Sequence, residues 1–137
     1  MANIWKELRY FKKKEFEDPD KIDYELLMLL DKFRAWVRKP INIHCAYEKR
    51  DNPSSQHNYG RAVDCHIVGL SLFDQMMAAL KFCDWTGVGV YPDWNSPGLH
   101  LDIRNIKPPK KKKTWMKKNG SYIALSEKNI LNYVINK

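Results

Sequence analysis

The sequence predicts an α+β fold: a small, mostly antiparallel sheet with helices packed on one face and a polar site on the other. Three observations carry this. Residues 23–39 and 72–83 repeat apolar side chains at helical spacing. The stretches INIHCAY (41–47), RAVDCHIV (61–68) and LHLDIR (99–104) alternate apolar and polar residues, as half-buried strands do. The polar sides of the last two carry Asp64 with His66 and His100 with Asp102, residue types that titrate or bind metals.

Taken in order, the first helix has Leu26, Leu27, Leu30, Phe33, Trp36 and Val37 as its inward stripe, Asp23 as its cap and Pro40 as its stop. In INIHCAY, Ile41, Ile43 and Cys45 are expected on one side and Asn42 and His44 on the other. Asp51, Asn52, Pro53, Ser54 and Ser55 compose a loop. RAVDCHIV turns Val63, Cys65 and Ile67 to the core. Ser71 then caps a second helix, whose Leu72, Phe73, Met76, Met77, Leu80 and Cys83 read as core packing rather than a cofactor-binding stripe. GVGVYP is a short strand, DWNSPG a turn, and LHLDIR a strand with Leu99, Leu101 and Ile103 inward. Lysines crowd 107–118 around Pro108 and Pro109, which predicts an exposed basic loop. Trp115, Tyr122 and Ile123 are expected to return to the core. Ser126 caps a last helix with Ile130, Leu131, Val134 and Ile135 inward. There is no internal repeat, so residues 1–137 read as one domain, expected to be monomeric.

A chain of 137 residues can bury a single core without staples. Cys45, Cys65 and Cys83 are odd in number, widely spaced and free of any CxxC pair, which argues against a disulfide framework and a cysteine zinc ribbon. Reduced, mostly buried thiols are expected. No apolar run has the form of a secretory signal or a membrane span, so synthesis in the cytoplasm without a signal peptide is expected. The net charge of +8 suggests an anionic partner. Nucleic acid is not the expected one, because no recognition helix, stacking pattern or zinc-finger spacing accompanies the lysines.

All four histidines, His44, His57, His66 and His100, lie in or beside strands. If the strands at 61–68 and 98–104 are neighbours, Asp64, His66, His100 and Asp102 converge, and His57 enters from the loop before them. Two imidazoles and a carboxylate around a divalent ion, with a fourth position left to water, make a hydrolytic zinc site. Water bound there has its pKa lowered to about 7 and becomes a nucleophile at neutral pH. Manganese or iron accepts similar ligands. On geometry alone His66 competes for a ligand position, since it shares a strand face with Asp64. Gly60 leaves room for the turn from the His57 loop into the Asp64 strand.

Ser55, His57, Gly60, Ala62 and Asp64 reproduce an SxHxxGxAxD pattern. Together with GVGVYPDWNSPGLHLDIR (87–104), they resemble the two motifs of the M15 peptidases, the zinc-dependent D-alanyl-D-alanine carboxypeptidases and endopeptidases. YFKKKEF (10–16), the helix before Pro40, INIHCAY, and Trp115 with Tyr122 extend the resemblance over about residues 10–125. It implies a hedgehog/D-Ala-D-Ala peptidase-like fold and one zinc ion held by His57, Asp64 and His100. It also implies Ser55 as a substrate hydrogen-bonder, with His66 beside the ligands or facing the substrate. The implied activity is hydrolysis of an amide next to a D-amino acid in peptidoglycan stem peptides.

The sequence departs from the family pattern twice. Many members carry a Glu or Asp three residues before the last histidine as general base, or a histidine two before it; here those positions are Pro97 and Gly98. Asp102 and, after it, Asp93 are therefore the candidate bases. The family commonly has an oxyanion-steadying Arg directly after the tyrosine of CAYEKR, where Glu48 stands instead. Lys49, Arg50, Arg61 or His44 is then left to supply that contact, with Arg50 placed among the substrate-binding residues. The expected setting is a phage-type lysis or wall-modifying enzyme at the bacterial cell wall, reached after holin-type release or as part of a particle. The lysine-rich loop would hold it to the anionic wall. The alternative is a catalytically weak, metal-containing module that binds wall peptides without cutting them.

Overall fold

The computed structural model describes residues 3–105 and 112–136. The architecture is α+β, with four helices and a six-stranded mixed sheet. In chain order these are α1 (Ile4–Glu7), α2 (Tyr24–Val37), β1 (Ile41–Cys45), β2 (Ala62–Ile67), α3 (Leu72–Lys81), β3 (Gly87–Tyr91), β4 (Gly98–Asp102), β5 (Lys113–Lys118), β6 (Ser121–Ile123) and α4 (Glu127–Tyr133).

Local chemistry sets the helix ends. The Asp23 carboxylate accepts from the Glu25 N–H at 2.8 Å, Ser71 Oγ from Asp74 N–H at 3.1 Å, and Ser126 Oγ from Asn129 N–H at 3.2 Å. Each satisfies a donor that the helix itself leaves unpaired, worth about 1 kcal/mol. Arg38 closes α2 in the left-handed region, two residues before Pro40.

The strand order is β1-β2-β4-β3-β5-β6, and every pairing is antiparallel except that of β3 with β5. The β5–β6 hairpin turns on Asn119 and Gly120, both at positive φ (51° and 78°), the backbone that an Asn-Gly hairpin turn requires. One sheet face, built from Val63, Cys65, Ile67, Val88, Val90, Leu99, Leu101 and Met116, joins Leu26, Leu27, Leu30 and Phe33 of α2 and Leu72, Met76 and Ala79 of α3 in a single buried cluster. Trp85 is buried among them.

Several expectations are corrected. Residues 113–118 of the expected basic loop are a strand: Met116 alternates into the core and the backbone pairs with both β3 and β6. Residues 107–111 of that stretch lie outside the described residues. Tyr122 does not return to the core; it is 67% exposed, at the rim of the cleft that the polar sheet face forms. No residue within α4 is fully buried; its C-cap Val134 is, while Leu131 in the helix and Ile135 after it are exposed. Trp36 is half out of the core, covering Phe33 and Phe82 from outside. Cys83 is exposed, because α3 ends before it at Lys81. Cys45 leaves the face its alternation predicts, since the β1–β2 register shifts between Ile43 and Cys45. Such a bulge puts two consecutive residues on one side of the strand. His44 and Cys45 both reach the polar face as a result.

Candidate metal centre

The β2–β4 register places Asp64 opposite His100 and Ala62 opposite Asp102. Directly opposed residues share a sheet face, so the Asp64 carboxylate and the His100 ring meet. His57 comes from a single 3-10 turn, Gln56–Tyr59, that Gly60 ends at φ 65°. A Cβ at Gly60 would collide with the Lys21 carbonyl, so both the turn and the close approach require glycine. The Glu48 N–H donates to the His57 carbonyl at 3.2 Å, which fixes the turn against the chain after β1.

Both rings have one nitrogen committed outward. His57 Nδ1 lies 2.6 Å from the Ala46 carbonyl, which can only accept, so Nδ1 carries the proton. His100 Nε2 lies 2.7 Å from Asp102 Oδ2, which by the same logic puts the neutral ring's proton on Nε2. The remaining nitrogens point at one carboxylate oxygen: His57 Nε2 is 3.3 Å and His100 Nδ1 is 3.1 Å from Asp64 Oδ1. His57 Nε2 is buried without a hydrogen-bond partner. An unsatisfied buried polar atom costs about 1–3 kcal/mol. Three sets of lone pairs aimed at one point repel unless a cation, either protons or a metal ion, lies among them.

The same geometry sets the ionisation of the group. Burial alone would lower the His57 pKa, but the Asp64 carboxylate, helped by Cys45 and the Ala46 carbonyl, outweighs it and raises it to about 9. Burial likewise opposes charge on His100, and Asp102 and Asp64 overcome it to raise its pKa. Burial would raise the Asp64 pKa, yet the His100 and His57 rings beside it hold it well below the usual carboxylate range. Without a metal, the carboxylate therefore retains protons on the imidazoles. A metal ion replaces those protons.

Cys45, His57 and Asp64 each bring a ligand atom to within 4.8 Å of one another, so this group can hold a metal ion. Cys45 Sγ is 4.0 Å from His57 Nδ1, on the side of the ring already committed to Ala46. Arg50 borders the same site: its Nε donates to Glu48 Oε1 at 2.9 Å, and Nη2 is 3.9 Å from Asp64 Oδ2. Of the four candidates for a positive contact, Arg50 is the one ion-paired with Asp64, while His44 lines a second, smaller cavity with it. Arg61 is held by Asp23 and the Ile103 carbonyl, and His44 packs on His66 and Trp94.

Behind His100, Asp102 is fully buried and takes hydrogen bonds from the Arg104 guanidinium at 2.6–3.1 Å. Burial would raise its pKa; His100 and Arg104 bring it down to about 2. A Cβ on Gly87 would occupy the space of this carboxylate, and one on Gly89 would strike the Trp115 ring. The two glycines of GVGVY thus make room for the group that orients His100 and for the indole that leans on it at 5.1 Å between ring centroids.

These side chains line a cleft of about 720 Å³, with His57, Asp64 and His100 among Ser55, Arg50, Trp94 and Trp115. Asp102 does not line it. The structure places this expected base away from the cleft: the Asp102 carboxylate has zero exposure and is engaged by His100 and Arg104. Asp93 does line the cleft, bound to Lys118 Nζ at 2.5 Å and the Asn119 N–H at 2.7 Å. His66 does not; its Nδ1 sits 2.6 Å from His44 Nε2, and Asn42 approaches its other nitrogen. The structure thus places this expected substrate-binding residue outside the cleft, with both ring nitrogens facing side chains of β1. Cys45, Arg104 and Trp115 are site residues that sequence reasoning missed.

No protein-family model matches the chain, and none of the curated proteins matches it.

Proposed function

We propose that the protein is a zinc-dependent metallopeptidase of hedgehog/D-Ala-D-Ala peptidase-like fold that hydrolyses peptide bonds in peptidoglycan stem peptides at the bacterial cell wall. The observation that carries this reading is the convergence of His57 Nε2, His100 Nδ1 and Asp64 on one point of an open cleft, each imidazole having its other nitrogen hydrogen-bonded outward. Those outward bonds are what ligating histidines need for a fixed tautomer and ring orientation. The unpartnered His57 Nε2 fits the same role. His57, Asp64 and His100 would hold the zinc, with Cys45 beside them. When bound, the ion polarises the scissile carbonyl and acidifies a water molecule.

The chain's own groups do the rest. Ala46 and Asp102 keep protons on the outer nitrogens of His57 and His100. Arg50, steadied by Glu48, supplies positive charge where an oxyanion develops. The general base is assigned to Asp93, the other carboxylate lining the cleft among the described residues, whose oxygens accept from Lys118 Nζ and the Asn119 N–H. Trp115 and Tyr91, joined by an indole N–H to phenol oxygen bond of 3.1 Å, form a wall for the substrate chain. Ser55, also lining the cleft, offers a hydroxyl.

The test is incubation of purified protein, with and without chelator, on peptidoglycan and on defined stem peptides, with products read by mass spectrometry. Chelator-sensitive release of a defined fragment supports the peptidase and names the bond. No product, with metal bound and the fold intact, favours the second reading, a module that binds wall peptides without cutting. One observation motivates that reading: the carboxylates nearest the histidines are both committed, Asp64 to the rings and Asp102 to Arg104 and His100.

A further inference from the structure

Beyond the histidines, one wall of the cleft has a distinct chemistry. Strand alternation turns Lys113, Trp115 and Lys117 of β5 to the cleft while Met116 enters the core. Tyr122, the cross-strand partner of Lys117 on β6, extends the same wall. The centre of the stripe is held in place: the Trp115 indole N–H is bonded to Tyr91, its ring leans on His100, and the Arg104 guanidinium lies over it at 5.1 Å. Its two ends are cationic. Of the four lysine and arginine side chains lining the cleft among the described residues, Arg50 is paired with Glu48 and Arg104 with Asp102, whereas the ion pairs found there involve neither Lys113 nor Lys117. Lys117 Nζ rests 4.9 Å over the exposed Tyr122 ring. Along an extended strand, the two lysines stand about 13 Å apart at their Cα atoms, with the indole between them.

From this stripe we infer that β5 is a specificity element for acidic peptides, Lys113 and Lys117 binding free carboxylates of a chain laid across Trp115. The inference rests on the peptidase reading for the identity of that chain, a stem peptide whose carboxylates are free rather than amidated. The ligand is anionic because two cations without carboxylate partners among the described residues face one cleft. It is an extended chain because the cations are spaced along a strand, next to the His100 ring. A fully amidated peptide of the same length keeps the indole contact and loses both charge contacts.

The experiment compares Lys113→Gln/Lys117→Gln with the native chain and with Lys32→Gln, a control that removes one lysine charge from the exposed side of α2. Three peptides are titrated by calorimetry at two salt concentrations: a stem tripeptide with free carboxylates on its γ-linked D-glutamate and its diamino acid, the same tripeptide amidated at both, and acetyl-Glu-Ala-Ala-Ala-Glu-amide. The double variant is expected to bind the free-carboxylate tripeptide about five- to tenfold more weakly, with the native preference shrinking at high salt. The amidated peptide should bind both proteins alike, and Lys32→Gln should change nothing. Equal binding of the free-carboxylate tripeptide by native and double-variant protein overturns the inference, as does a loss shared equally by the amidated one. If that equality accompanies intact cleavage, the peptidase reading stands without this specificity. If the lysines bind the acidic L-peptide while neither tripeptide binds, the acidic-peptide site stands and the peptidase reading falls. No binding of any peptide overturns the site.

Discussion

His100 Nδ1 lies 3.1 Å from Asp64 Oδ1, across directly opposed positions of β4 and β2. The contact joins two strands far apart in sequence, and His57 completes it from the turn before β2. Protons hold the three groups together in the metal-free protein and a metal ion would replace them, so metal content and pH are the two variables that probe the site.

Removing either imidazole should abolish tight zinc binding. His57→Ala and His100→Ala are each expected to lose stoichiometric zinc, read by elemental analysis after dialysis, with the far-ultraviolet circular dichroism of the sheet retained. Asp102→Asn, which touches no metal, should weaken zinc by about 10- to 100-fold in a chelator competition, because it loosens the tautomer and orientation of His100.

The pH dependence of the metal-free protein has a definite sign. The His57 pKa is raised from 6.5 to about 9 by its neighbours, Asp64 foremost among those that raise it, against the opposing effect of burial. Its charged form therefore stabilises the fold fully below about pH 6.5, and that stability is lost as pH rises through about 9. Asp64, with its pKa depressed, contributes above the usual carboxylate range and loses its contribution as pH falls. The melting temperature in chelator should decline on the alkaline side, and His57→Ala should flatten that decline. Zinc competes with the same protons, so the stabilisation it confers should grow as pH rises over this interval. A melting temperature independent of pH between about 6 and 10 would contradict the arrangement.

Arg50 should show its role in turnover rather than in metal content. Arg50→Gln is expected to retain zinc and to lower kcat by about 10²- to 10³-fold on a cleavable stem peptide, the effect of removing one oxyanion contact. A loss confined to KM would make it a substrate anchor instead.

Gly87→Ala places a methyl group where the Asp102 carboxylate lies. Overpacking of this kind costs about 1–3 kcal/mol, which urea denaturation will read. Since the displaced group orients His100, zinc affinity should fall in the same variant. Val88→Ala at the next position, a core truncation, should lower stability and leave zinc affinity nearly unchanged.

The local chemistry of the sequence is sufficient for the caps at Asp23, Ser71 and Ser126 and for the alternation of β2 and β4, because capping and two-residue periodicity act within a few residues. Residue type and alternation bring Asp64, His66, His100 and Asp102 to one face with His57 nearby and leave His66 in competition; the narrower set of His57, Asp64 and His100 comes from the resemblance of the two motifs. The Asn119-Gly120 hairpin is a signal of the same local kind, masked by the lysines and prolines that make the preceding stretch read as a loop. Cys45 is not legible, since the bulge that turns it toward His57 is a property of the β1–β2 pairing, decided by both strands together. Asp102 shows the same limit. Its alternation places it correctly on the polar face, yet only the position of Arg104 and the space above Gly87 decide that it serves His100 rather than the cleft. Periodicity and residue type are short-range properties that a chain carries into any fold. Register, crossover and the competition among neighbours for each hydrogen-bonding oxygen exist only after distant segments have packed.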